Sequence, residues 1–105
     1  MRRASRIDEN QTEIVKALRK HGISVIVISN AGNGAPDLIC GGIAGSRTTK
    51  YYRETELLEV KDGSKFPSQR QLTPKEKKVH DEWKGRPIQI VESVADALAI
   101  FGIKE

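Results

Sequence analysis

Cysteine, aromatic residues and proline are all scarce in this chain: one cysteine, one tryptophan, two tyrosines, two phenylalanines and four prolines in 105 residues. With Cys40 alone, no internal disulfide forms, and one cysteine with two histidines falls short of the usual structural zinc site. Any bound metal is therefore expected to have oxygen ligands. Low aromatic content implies an aliphatic core. No apolar run approaches the roughly 20 residues that span a bilayer, and the start "MRRASRIDENQ" lacks the apolar segment of a signal peptide. A cytoplasmic protein without a membrane partner is expected. At this length the chain, 1–105, has room for one compact domain and no second. The segment "GNGAPD" lacks the third glycine of a dinucleotide fingerprint and "GGIAGSRTT" lacks the lysine of a P-loop, so no nucleotide cofactor is expected. Cys40 lies in an apolar run and reads as buried filler, not as a thiol nucleophile.

Charge is plentiful but uneven. The net charge is +4, and between Lys61 and Arg86 eight basic residues stand against four acidic ones. Lys65, Arg70, Lys75, Lys77 and Lys78 form the centre of that segment, which suits either a polyanion such as DNA or a solvated face.

The pattern along the chain predicts seven elements. "DENQTEIVKALRKHG" reads as a first helix, with Ile14, Ala17 and Leu18 at helical spacing, Asp8 as N-cap and Gly22 as stop. "ISVIVIS" is β-branched without alternation, as expected of a central strand covered on both faces. "DLICGG" and "YYRETELLEVK" predict two further strands joined by the loop "GIAGSRTTK". "TPKE" combines an N-cap, a proline at the first helical position and a glutamate three residues after the cap, so a helix should run from Thr73 to about Trp83. "RPIQIV" predicts a fourth strand and "SVADALAIFG" a final helix capped by Ser93, burying Val94, Leu98 and Phe101. The order α-β-β-β-α-β-α implies an α/β fold, a mixed sheet between helices. Trp83 is expected in the core.

Two charges interrupt the third strand. Side chains alternate across a strand, so Glu59 and Lys61 share one face while Leu58 and Val60 take the other. Pro36 extends the chain into "DLIC", and Gly32 and Gly34 permit a close approach that brings Asp37 beside Glu59. Two neighbouring carboxylates repel, and a divalent cation such as magnesium, which accepts carboxylate, water and phosphate oxygens, relieves the conflict. Lys61 beside such a cation would position or help deprotonate a water, and the chemistry would be phosphodiester hydrolysis. The plainer alternative is a solvated pair on an edge strand with "PD" as a turn.

"PD" followed after some twenty residues by "EVK" resembles the PD-(D/E)XK nuclease signature. Together with "DENQTEIVKALRKHG", "GNGAPDLICGG", "LLEVKDG", "PSQRQLTPKEKKVHDEWKG" and "ESVADALAIFG", it resembles the small virus-type replication-repair nuclease (VRR-Nuc) domains of phages and bacteria, over nearly the whole chain. That resemblance implies a Mg2+- or Mn2+-dependent endonuclease that cuts DNA, with four-way junctions or other branches as substrate. It implies Asp37, Glu59 and the Val60 carbonyl as metal ligands, Glu13 as the helical acid with Glu9 as its rival, and Lys61 as the catalytic lysine. It places the protein in a bacterial or phage-infected cell. Family members often carry glutamine where this chain has Glu76, which either faces the site or closes the capping box with Thr73. His80, one turn on, either packs or approaches the site. Two cuts in symmetry-related strands suggest a homodimer, with "AGSRTTKYYRET" as the expected interface. The rival functions are a DNA-binding module that does not cut and a nuclease for simple duplex or single strands.

Overall fold

The computed structural model describes residues 10–44 and 52–104, and over them the element order is the expected one. It comprises α1 (Gln11–Lys20), β1 (Ser24–Val27), β2 (Leu38–Ala44), β3 (Tyr52–Val60), α2 (Pro74–Glu82), β4 (Gln89–Val91) and α3 (Val94–Ile100). The four strands form one sheet in the order β1-β2-β3-β4. β1 and β2 pair antiparallel, as do β2 and β3, while β4 joins β3 in parallel, so the sheet is mixed. The protein is thus a small α/β domain.

The core lies on one sheet face, under α1 and α3. Leu38, Cys40, Leu58, Val60 and Val91 project from the strands onto Ile14 and Leu18 of α1 and Ala97, Leu98 and Phe101 from α3 and its end. Leu58 and Val60 face that core, as alternation requires. α1 stops where the sequence predicts, with Gly22 at φ 84° just beyond it. Its start differs: Asp8 lies outside the described residues, and Asn10 occupies the cap position without a side-chain cap bond. The Asn10 amide instead donates to the carbonyls of Lys61 and Glu92, both at 3.1 Å, pinning α1 to the ends of β3 and β4. At α2, Thr73 and Glu76 form the full capping box, and at α3 the Ser93 side chain accepts from Asp96 N–H.

Two expectations need correction. β1 is an edge strand, not a central one: Val25 is buried, but Ile26 and Val27 are 61% and 45% exposed. Its β-branched run reflects strand propensity and one-sided burial, because α1 covers only the Val25 face. Trp83 is not in the core. It is 46% exposed at the C-cap of α2, where the chain has turned extended and the ring stands beside Gly85. No described residue of α2 is buried, so this helix adds nothing to the core. The loop expected at a dimer interface lies largely outside the described residues.

Candidate active site

Asp37 sits one residue before β2, held by backbone bonds to both neighbouring strands. Its N–H donates to the Leu58 carbonyl at 3.0 Å, and its carbonyl accepts from Ile28 N–H at 2.8 Å. Its side chain reaches across β3, where Oδ2 accepts from Val60 N–H at 2.8 Å. The carboxyl is thereby fixed beside Glu59, with which it shares a side-chain hydrogen bond. Gly34, at φ 82°, allows the preceding loop to lie flat against α2; a Cβ there would fall 2.5 Å from the Lys75 carbonyl carbon.

Glu59 is 1% exposed although it points away from the core. Burial, the Asp37 hydrogen bond and the charges of Asp37 and Glu76 push its carboxyl up to about 9, against the opposing charge of Lys61. Glu59 is therefore held in its protonated form at neutral pH. His80 Nε2 lies 3.2 Å from Glu59 Oε1. Burial, helped by the Lys61 charge, lowers the imidazole pKa below its usual value against the pull of the Glu76 and Asp81 charges.

Lys61 follows β3, and its Nζ donates to Glu76 Oε1 at 2.8 Å in an ion pair with side-chain exposures of 11% and 17%. The same Glu76 oxygen accepts from Thr73 N–H at 2.8 Å. Burial works to raise the Glu76 pKa, but the bonds from Lys61 and Thr73 prevail and hold it below its usual value. Both sequence readings of Glu76 are therefore realised in one side chain: it closes the capping box and it faces the site. His80 likewise reaches the site.

Glu13 is the expected ligand that the structure does not bring to this cluster. It lines a separate cleft with Asn10, Asp62 and Ser64. On α1 the inward positions are Gln11, Ile14, Val15 and Leu18, which leaves Glu13 on the exposed side. Its rival Glu9 lies outside the described residues. Among the described residues, no group of three or more His, Cys, Asp or Glu side chains is arranged to hold a metal. Val60 enters through its N–H, bonded to Asp37.

The basic positions divide. Lys65, Lys75, Lys77 and Lys78 are exposed, with Lys77 paired to Asp81 one turn along α2 at 3.1 Å. Arg70 is half-buried and bonds Glu92 at 3.0 Å, which ties the loop before α2 to the end of β4. Sequence reasoning missed a second charged group: Arg86 bridges Glu54 and the buried Glu56, contacting Glu56 Oε2 at 2.7 Å. Alternation on β3 put Glu56 on the Leu58 face and so carried that signal. Cys40 is buried, and desolvation together with the Glu56 charge pushes its thiol up to about 12.

No family model, no curated protein and no solved structure matches the chain. No helix among the described residues is long and apolar enough to cross a membrane.

Proposed function

We propose that the protein is a metal-dependent DNA endonuclease of the PD-(D/E)XK type, close in kind to the VRR-Nuc domains. The observation that carries this reading is the pairing of half-buried Asp37 with buried Glu59, with Lys61 beside them at the same strand end. Two carboxyl groups held this close fit a hard divalent cation, because the cation offsets the charge that burial and the neighbouring acid make costly on Glu59. Asp37 and Glu59 would hold Mg2+ or Mn2+, with the Val60 carbonyl and a helical acid completing the set. Glu13, which lines a cleft with Asn10, Asp62 and Ser64, is that acid in this reading, with Glu9 as its rival. The ion, when bound, supplies Lewis-acid polarisation of a phosphate oxygen and a more acidic water.

The residues of the chain do the rest. Asp37 is immobilised by Val60 N–H. Lys61 presents a cation to orient the attacking water or to offset charge on the phosphate. Lys75, Lys77 and Lys78, exposed on α2 beside the site, bind backbone phosphates without reading sequence. A two-fold dimer places two such sites across a branched substrate, so the active unit is a homodimer cutting branched DNA. Light scattering at micromolar protein, with and without junction DNA, tests this: a fully active monomer contradicts it.

The functional test is incubation with end-labelled four-way junction, duplex and single strands, with and without Mg2+ or Mn2+. Metal-dependent cutting, strongest on the junction and lost in Asp37→Ala, is the expected result. Binding without cutting in either metal would identify a DNA-binding module instead.

A further inference from the structure

Lysine carries a long flexible stem, so an ammonium that must act at one place needs a fixed partner. Glu76 is such a partner. Its Oε1 accepts from Thr73 N–H and from Lys61 Nζ, both at 2.8 Å, while its own N–H donates to Thr73 Oγ1 at 3.2 Å. The capping box therefore orients the carboxylate independently of Lys61. We propose that Glu76 is a positioning residue for Lys61, and that the first turn of α2 sets the register between Lys61 and Asp37; its catalytic meaning rests on the nuclease reading above.

The contacts close a circuit. Gly34, in the loop that delivers Asp37, lies against the peptide of Lys75 and Glu76, and a Cβ at Gly34 would fall 2.9 Å from Glu76 N. Asp37 Oδ2 accepts from Val60 N–H, next to Lys61, and Lys61 returns to Glu76. One turn further along α2, His80 meets Glu59 in the same way. Residues four apart on the helix thus engage residues two apart on the strand. Since α2 buries no residue, its place beside the sheet depends on these polar contacts and on the Gly34 approach, not on an apolar stripe. A glutamine at 76 keeps an oxygen for both donors. An alanine keeps neither.

The test reads Lys61 directly. Acetylation by an amine-reactive ester, followed by mass spectrometry, gives the Lys61 rate relative to exposed Lys78 in wild type, Thr73→Ala, Glu76→Gln and Glu76→Ala, with melting temperatures for each. Glu76→Ala should raise the Lys61 rate by at least about tenfold, the factor implied by losing one charge-assisted hydrogen bond. Glu76→Gln should stay within about threefold of wild type. Thr73→Ala also weakens the cap and lowers the melting temperature, yet should leave Lys61 protected. On any substrate that wild type cuts, Glu76→Ala should lower kcat with KM unchanged, and Glu76→Gln should recover most of it. A Lys61 rate unchanged in Glu76→Ala overturns the proposal, and so does a Thr73→Ala rate as high as that of Glu76→Ala, which would reduce Glu76 to a cap. A wild type that cuts nothing while the labelling pattern holds would overturn the nuclease reading and support the positioning of Lys61.

Discussion

Alanine at Gly34 and alanine at Gly32 should differ in cost, although the two glycines share one loop and both have positive φ. Gly32 has φ 76° with ψ −174° and Gly34 φ 82°, so each substitution forces an L residue to a positive φ that strains it. That strain costs about 1–3 kcal/mol and is partly offset by about 0.4–1 kcal/mol from the stiffer unfolded chain. A Cβ at Gly32 meets nothing within 4 Å, so Gly32→Ala should stop there, at a loss of up to about 2.6 kcal/mol. A Cβ at Gly34 runs into the Lys75 carbonyl and Glu76 N, all of it backbone that no side-chain rotation relieves. Forcing that turn of α2 away adds about 1–3 kcal/mol, the usual range for overpacking. In a domain near 100 residues, each kcal/mol moves the melting temperature by about 4–8 °C. Gly34→Ala should therefore melt roughly 4–24 °C below Gly32→Ala, by circular dichroism. Equal melting temperatures would show that α2 does not lean on this loop and would refute the geometry assigned to the site.

Other outcomes follow from the same contacts. Asp37→Ala leaves Val60 N–H without its acceptor at 2.8 Å, so urea unfolding should show a loss of about 1–3 kcal/mol, and the rise in melting temperature produced by Mn2+ in wild type should vanish. Asp37→Asn keeps an acceptor and should recover most of the stability but not the metal response. Cys40, with its thiol raised to about 12, should resist a disulfide reagent in the native state at pH 8 and react on unfolding. Because its folded pKa lies above its unfolded value of about 9, Cys40 favours the fold below pH 9, and that contribution should decline as pH rises through 9 toward 12. Replacing Lys75, Lys77 and Lys78 together by alanine should weaken DNA binding and flatten its dependence on salt by up to about three phosphate contacts, measured by anisotropy.

Local signals in the sequence were reliable where a short segment decides its own structure. The Thr73 capping box, the Ser93 cap and the Gly22 stop all formed, because each depends on residues within one helical turn. The Asp37–Glu59 meeting was legible too, since strand alternation and the extended chain after Pro36 leave few other arrangements. What the sequence hid depends on distant partners. "ISVIVIS" looks the same at an edge as in the centre of a sheet, and only the antiparallel pairing with β2 puts it at the edge. Trp83 looked like core because of its size, yet α2 buries no face for it to extend. Glu13 sits on the exposed side of α1 and lines a cleft with Asp62 and Ser64, a placement that depends on packing and not on local pattern. The double role of Glu76 required knowing that Lys61 lies within reach of a helix cap.

The most direct test of the central claim is single-turnover cleavage of a labelled junction by wild type and Lys61→Ala in Mg2+, with DNA affinity measured in parallel. Removing a group that acts on the reacting phosphate or its water should slow cleavage by about 10²–10³-fold, while the dissociation constant changes little, since Lys61 is one cation, already paired to Glu76, among several exposed ones. A Lys61→Ala protein that cuts at the wild-type rate, or a wild type that cuts equally well without divalent metal, would contradict the account.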